Sequence, residues 1–411
     1  ERIKLIDASI EILFLDHMDS RKMIDLAIGV LCERKELIKF FAGEEERVQL
    51  MEMNKAEVLT GKMLVDLNDG IHPEIEWYDS YFPDLLPNQQ VALSTAIDFR
   101  ISVICGAAGT GKTYTIKKIH EAMTKMMGWN PVICAPTGKA AKRVTQLTGL
   151  PAMTIHRLLE HNGKGFQRTA KNHLEYKAVI IDESSMVDSL LMAALLEALP
   201  TNIRSLVLVG DPNQLPPVGP GCPFMDIIKS KKVPVTVLDV VMRHGGPLKV
   251  NAAAILDGKI APSSPPAWYV IDTLETQEDV RAYLIKMYVE MIAHRHIVDS
   301  RSLPIVLSPQ HKGVIGTKEL NAVLQEIVHH EVLGVVKFDT TRAGRIMLGD
   351  RVIQTKNNYD IRIMNGNTGT VIEKVADGLQ VQFDDEPTST FVPNDSAGDL
   401  QLAYVLTVHK A

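Results

Sequence analysis

Three stretches of the sequence hold residue types that handle polyphosphates. The first is "GAAGTGKT", Gly106 to Thr113. It has the form G-x-x-x-x-G-K-[ST] and lies between the apolar run "ISVIC" and the helical pattern "YTIKKIHEAM". That strand-to-helix setting is the one a phosphate-binding loop requires. Gly106, Ala107, Ala108, Gly109, Thr110 and Gly111 would wrap their backbone amides around phosphates, and the start of the following helix adds positive potential. Lys112 would reach the β- and γ-phosphates of a nucleotide, and the Thr113 hydroxyl suits Mg2+.

The second stretch, "AVIIDESSMVD", is an apolar strand that ends at Asp182-Glu183. Asp182 suits the Mg2+ shell and Glu183 suits the polarisation of an attacking water, which adds hydrolysis to binding. Taken alone, the same two acids serve equally well as helix caps. The third stretch, "VLVGDPNQLPPVGPG", begins as a buried strand and continues into Pro216, Pro217 and Pro220. Prolines fix φ and reduce the conformations a loop can visit. Gln214 is then either an amide deliberately held at the tip of a core strand, or an idle side chain on a stiff turn.

The elements that must position these residues follow from the apolar pattern. "ISVIC", "PVICA", "AVIID", "SLVLVG", "VTVL" and "PIVLS" alternate with helical segments. Strands apolar on both faces and separated by helices predict an α/β protein with parallel sheets covered on both sides. Before them, residues 1–70 read as a helical accessory domain, with Met23, Leu26, Ala27, Val30 and Leu31 forming one apolar stripe. A linker containing Pro and aromatic residues follows over 71–85. Near the other end, Val371, Glu373 and Val375 alternate, Asp377-Gly378 turns the chain, and Leu379, Val381 and Phe383 alternate again, which predicts a β-hairpin with one buried face.

Composition sets limits on partners. The chain has 411 residues, 45% of them hydrophobic, enough for two to four domains. Its 44 basic and 50 acidic residues leave a net charge of −6, so any nucleic-acid role rests on local clusters of Lys and Arg. The four cysteines are scattered, with no CxxC pair or Cys/His cluster, which argues against zinc and for reduced intracellular thiols. Apolar runs are too short to span a membrane and no signal-peptide pattern opens the chain, so the expectation is a soluble, cytoplasmic protein.

Two further stretches are ambiguous by themselves. "CAPTGKAAKRVTQLTG" reads as a strand, a turn and a basic helix, where Thr137 and Gly138 could hold an external phosphate near Lys139, Lys142 and Arg143. It reads equally as a solvated surface helix. His156 in "MTIHRLLEHNGKGFQRTAKNHL" could be an ordinary capped histidine, and the Gly-rich basic stretch after it predicts a small hairpin or loop.

Together, "GAAGTGKT", "APTGKAAKR", "TIHRLL", "IIDESSM", "VGDPNQLPPVGPG", "VMRHG", "VLSPQHKGVIGTKELN", "QTKNNYDIRIMNGNTGTV" and "LAYVLTVHKA" resemble the RecD-like DNA helicases, of the superfamily 1 branch that moves 5′ to 3′. The resemblance covers roughly Leu86 onward, in the family's order. It implies a first RecA-like domain over 86–232 with a short pin-like insertion near 160–176, and a second over 233–349. It further implies an SH3-like β-barrel insertion over 350–397 and a return strand over 398–411.

The resemblance assigns roles as well. Lys112, Glu183, Gln214 and Arg243 become catalytic, with Arg243 reaching the γ-phosphate, and Gln90 (or the adjacent Gln89) reads the adenine edge. Thr113 and Asp182 hold the metal. Pro136, Thr137, Gly138, Lys139, His156, Lys312, Asn365 and His409 fall in motifs that line a single-strand groove. ATP draws the two lobes together, hydrolysis releases them, and forked DNA is forced apart on a protruding element. An RNA helicase, or a loader that uses ATP only to switch its grip, remains open on the residues, as does a protein partner for the N-terminal helices. The stretch given stops at Ala411 inside a motif that in this family runs on, so the resemblance implies several tens of further residues bearing another arginine, without which hydrolysis would be slow.

Overall fold

The computed structural model describes residues 17–43, 45–68, 81–240, 246–260, 262–265, 268–295, 297, 299–335, 345–358, 360–361 and 363–410. The chain divides into two units, Glu1–Pro136 with Val144–Arg243, and Thr137–Arg143 with His244–Ala411.

The first unit opens with α1 (His17–Glu33), β1 (Leu37–Ala42), β2 (Glu45–Leu50) and α2 (Met51–Asn68). This corrects the all-helical expectation for 1–70, because β1 and β2 pair as an antiparallel hairpin from Leu37↔Leu50 to Ala42↔Glu45. The stripe is also turned. Met23 and Leu26 are 70% and 69% exposed, whereas Ile28 is buried with Ile24, Cys32, Leu37 and Val48 packed around it. Helix α1 is apolar on more than one face, and the hairpin takes the face with the β-branched isoleucines.

After α3 (Pro87–Asp98) come β3 (Ile101–Gly106), α4 (Lys112–Lys125), β4 (Pro131–Ala135), α5 (Gly138–Thr148) and β5 (Ala152–Thr154). Then follow β6 (Ala178–Ile181), α6 (Ser189–Ala198), β7 (Ser205–Gly210), α7 (Pro223–Ser230) and β8 (Val235–Leu238). The strands form one parallel sheet in the order β5-β4-β6-β7-β3-β8. Every residue of β3 and β7 is buried. Ile101, Val103 and Cys105 face a core completed by Leu67, Leu195 and Ile227, while Ile104 faces Leu93, Ile97, Ile116 and Ile119 on the other side. Each fully buried Ile or Leu contributes about 1.5–3 kcal/mol, so the sheet rests on two apolar layers. "VTVL" belongs here, beside β3, not to the second RecA-like domain expected over 233–349.

In the second unit, α8 (Gly246–Leu256) and α9 (Gln277–His294) precede β9 (Val306–Ser308) and α10 (Thr317–Glu331). Strand β9 pairs in parallel with β15 (Val405–Thr407), and α9 and α10 cover the pair through Tyr288, Ile292, Leu320, Leu324 and Val328. Between them lie β10 (Arg351–Gln354), β11 (Thr368–Val375), β12 (Gly378–Phe383), β13 (Thr390–Pro393) and β14 (Leu400–Leu402). These make a five-stranded antiparallel sheet in the order β13-β12-β11-β10-β14, so the inserted sheet runs past the expected limit at Ala397. Leu379, Val381 and Phe383 are buried as their alternation predicted, but a bulge between Val371 and Glu373 turns Ile372 to 49% exposure.

The inserted sheet is tied to α10 by a buried carboxylate. Asp350 accepts from the Gln325 amide at 2.6 Å, the Tyr404 hydroxyl at 2.8 Å and the Met347 backbone N–H at 2.6 Å, and meets His329 Nε2 at 2.8 Å. Burial, then Asp350, pushes the Tyr404 phenol far above its usual value, so it stays a donor.

Candidate nucleotide site

The three chemistry-bearing stretches meet because their strands are neighbours. In the order β6-β7-β3, all parallel, each carboxyl end emerges on the same edge. Asp182-Glu183 follows β6, the Gln214 loop follows β7, and the glycine-rich loop follows β3. In open α/β sheets that edge is where ligands bind.

The glycine-rich loop needs its glycines for two reasons. Gly109 and Gly111 have φ of +85° and +86°, a region that side chains avoid. A Cβ on Gly106 would overlap Thr110 Oγ1, and one on Gly111 would sit 2.6 Å from Gln89 Nε2. Helix α4 begins at Lys112, whose Nζ donates to the carbonyls of Gly106 and, at 3.2 Å, Ala107. The ammonium therefore folds over the concave side of the loop, where a phosphate would compete for it. Beneath it, burial and then Asp211 push the Cys105 thiol up to about 11, while Lys112 pulls it down.

Between Gln89 and Gln90, the structure favours the former for a place at this site. Gln89 is buried; its Oε1 accepts from the Leu86 amide at 3.0 Å and its Nε2 has no hydrogen-bond partner. A buried donor without a partner is costly, which marks Nε2 as waiting for an acceptor. Gln90 is half-buried one position along α3 and shares none of these contacts with Gly111. The apolar pattern of "LLPNQQVAL" gave no means of choosing between them.

On the β6 side, Asp182 is buried and its Oδ1 accepts from the Glu183 amide at 3.0 Å. Glu183 has φ 53° and ψ 40°, a left-handed conformation that costs a residue with a side chain of order 1–3 kcal/mol. Its Oε2 is buried and without a partner. Strained backbone and an orphaned carboxylate oxygen coincide at the residue expected to polarise water. The hydroxyl of Thr113 and the carboxylate of Asp182 are hard oxygen donors of the kind Mg2+ takes.

The Gln214 loop is held at both ends. Asp211 accepts from the Asn213 amide through Oδ1 at 3.0 Å and from the Gln214 amide through its carbonyl at 3.1 Å. At the far end, the Ser189 amide donates to the Pro220 carbonyl at 3.0 Å, and Cβ atoms on Gly219 and Gly221 would overlap Asp188 and Ser189. Gln214 itself is exposed.

The other expected residues belong to both units. Arg243 lies outside the described residues, as does the side chain of His409. Half-buried Pro136 precedes Thr137, which caps α5 by accepting from the Ala140 amide at 3.2 Å. The start of α5, up to Arg143, belongs to the second unit, where buried Gly138 leaves no room for a Cβ beside Met364, Lys139 approaches Gly366, and Lys142 pairs with Glu386. Lys312 and Asn365 are exposed, and the Asn365 amide donates to Asn357 Oδ1 at 2.9 Å.

His156 stands in the first unit within an aromatic cluster that the sequence did not signal. Its ring centroid lies 5.7 Å from His161 and 5.6 Å from Phe166. Desolvation, then His161, pulls the His156 imidazole below its usual value. The stretch expected as a pin is a compact loop bridged at Thr169↔Asn172 and stapled by Arg168 to Glu160 at 3.0 Å and Glu175 at 3.2 Å. All four cysteines are free, and the described residues hold no group of three or more His, Cys, Asp or Glu able to bind a metal. No described helix is long and apolar enough to cross a membrane.

Comparison with known proteins adds relatives to this geometry. A family model described as an AAA domain matches residues 89–220. Over 334 residues the chain is 35% identical to the ATP-dependent RecD2 DNA helicase of Deinococcus radiodurans, which covers 80% of this chain and 43% of that protein. The RecBCD enzyme subunit RecD of Mycolicibacterium smegmatis is 27% identical over 360 residues, 79% of this chain and 63% of its own. The chain thus spans less than two thirds of either relative. Among solved structures, Pif1 helicase from Bacteroides in complex with ADP-AlF3 and ssDNA is 18% identical with a TM-score of 0.44, over 82% of this chain and 84% of that one.

Proposed function

We propose that this chain is a RecD-like helicase that hydrolyses ATP to move along single-stranded DNA and separate duplex strands, in the cytoplasm, during replication, recombination or repair. The observation that carries this reading is the convergence of the Lys112 loop, Glu183 and the Gln214 loop at the carboxyl ends of three adjacent strands.

In this reading the amides of Gly106–Gly111 and the start of α4 hold the triphosphate, Lys112 turns from its carbonyls to the β/γ-phosphates, and Gln89 offers Nε2 to the base. Glu183 orients the attacking water with its free oxygen, and Gln214 reports on the γ-phosphate. Thr113 and Asp182 would hold Mg2+, which supplies charge neutralisation on the phosphates when bound. Arg243 adds a second cation. The second unit is read as a second RecA-like lobe interrupted by an SH3-like insertion. Thr137, Lys139, His156, Lys312, Asn365 and His409 contact the DNA backbone or its bases, so binding weakens steeply with salt.

The test is strand displacement on forks of equal sequence carrying a 5′ or a 3′ single-stranded tail, in DNA and in RNA. Unwinding of the 5′-tailed DNA fork, abolished by Lys112→Ala while nucleotide-free DNA binding persists, is the expected result. Unwinding retained by Lys112→Ala sinks the motor reading. DNA-stimulated hydrolysis with no displacement on any fork favours a loader.

A further inference from the structure

Under the Gln214 loop lies a cavity of about 190 Å3 that the hydrolysis chemistry does not use. Pro212, Leu215, Pro216, Pro217, Phe224 and Met225 supply its apolar walls. The polar features are few. Ser185, 7% exposed, lines it, and the Ser185 hydroxyl has no hydrogen-bond partner. Gln214 and Cys222 also line it, and the Cys222 thiol is free and makes no capping bond to α7 although Cys222 is the N-cap residue.

The void cannot close by local collapse. The proline rings have fixed φ and hold their part of the loop in shape. The far end is pinned where Ser189 bonds to Pro220 and where Gly219 and Gly221 lie directly on Asp188 and Ser189. The pocket opens to solvent beside exposed Gln214, Leu215 and Pro216, so a small ring can enter it from outside. An apolar cavity of about 150 Å3 takes up benzene, so this one has room for a single ring and a small substituent. The orphaned Ser185 hydroxyl supplies one hydrogen-bonding point for that substituent.

We propose that this cavity is a control site for a small single-ring molecule carrying one hydroxyl or carbonyl group, and that its occupation restrains Gln214 and lowers DNA-stimulated ATP hydrolysis. The ring packs between the prolines and Phe224, the substituent bonds to Ser185, and the edge of the ring meets Gln214. The coupling to turnover rests on the motor reading above; the binding itself does not. Because the loop is already shaped, little ordering is needed on binding.

The experiment uses the full chain with Cys32→Ser, which leaves Cys222 as the accessible thiol beside buried Cys105 and Cys134. Phenol is the probe of binding, followed by saturation-transfer NMR. Benzyl methanethiosulfonate then places a ring in the cavity: the Cys222 thiolate attacks the sulfenyl sulfur, a disulfide forms and methanesulfinate leaves. The methyl reagent makes the same bond without the ring. Phenol should bind, and the benzyl adduct should abolish its signal. The benzyl adduct should also lower DNA-stimulated turnover about fivefold or more, with the methyl adduct and the single-strand Kd both changing less than about twofold. Phenol that fails to bind, or that binds equally to the benzyl adduct, overturns the site; equal effects of the two adducts on turnover overturn the control. An unlabelled protein whose hydrolysis ignores DNA counts against the motor reading alone, and the phenol arm still decides the cavity.

Discussion

The Ser189 amide donates to the Pro220 carbonyl at 3.0 Å, which ties the end of the Gln214 loop to the first residue of α6. That helix is capped by Asp188, whose Oδ1 accepts from Leu191 at 2.8 Å, and the short turn from Glu183 to Asp188 leads into it. The loop that carries Gln214 and the segment that carries Glu183 therefore share one anchor.

Gly221 is the point at which this anchor tolerates least. Its φ is +86° and a Cβ would overlap Ser189. Gly221→Ala should cost about 1–3 kcal/mol and displace the loop, so DNA-stimulated hydrolysis falls while ATP binding persists. Gly163 is the control, with φ +85° and open space around it; Gly163→Ala carries backbone strain alone, about 1 kcal/mol. Thermal unfolding and stimulated turnover of both variants test the difference. Matching losses of turnover would show that strain, not the contact with Ser189, is responsible.

The glycine-rich loop, Asp182-Glu183 and the proline-stiffened loop were legible because backbone geometry admits few residue types there. Gly109 and Gly111 need positive φ, and Pro216 and Pro217 stiffen a turn whatever the rest of the protein does. Partners were harder to read than elements. "VTVL" is visibly a strand, but only the packed sheet puts it beside β3. The hairpin at Leu37–Leu50 was missed because its second arm, "EERVQL", is polar and never deeply buried, so no apolar alternation marks it. Helix α1 carries apolar residues on adjoining faces, and the choice of Ile24, Ile28 and Cys32 over Met23 and Leu26 belongs to the hairpin they meet. The cluster of His156, His161 and Phe166 joins rings separated in sequence by a turn, which periodicity does not see.

Gln89 and Gln90 separate cleanly in solution. The Gln89 amide is buried with a donor to spare beside Gly111. Gln89→Ala should raise the KM for ATP about tenfold, the worth of one buried hydrogen bond, and erode preference for ATP over GTP. Gln90→Ala should leave both nearly unchanged. Steady-state kinetics with the two nucleotides checks this, and the reverse pattern restores Gln90 as the base-reading residue.

Asp350 is the expected weak point of the second unit. Asp350→Ala strips a partner from Gln325, His329, Tyr404 and the Met347 amide at once, the first three of these bonds being buried. Loss of a buried, multiply bonded charge costs about 3–5 kcal/mol. Urea unfolding of the full chain should show the transition of this unit moving to lower denaturant, and amide exchange should accelerate in α10 and β10. Unchanged exchange in those two elements would mean that the apolar contacts of Leu320, Leu324 and Val328 hold the unit without the carboxylate.

Gln214→Ala addresses what the rigid loop is for. The side chain is exposed, so its loss removes no packing from the core and little stability. If the amide senses the γ-phosphate or its water, hydrolysis stimulated by single-stranded DNA should drop by an order of magnitude or more, as water-positioning glutamines matter that much in phosphoryl transfer. DNA affinity and the melting temperature should stay put. Fluorescence anisotropy with a labelled oligonucleotide and a coupled ATPase assay measure the two halves. Stimulation equal to that of the unaltered protein would make the loop a stiff connector between β7 and α7, with Gln214 an idle amide on it.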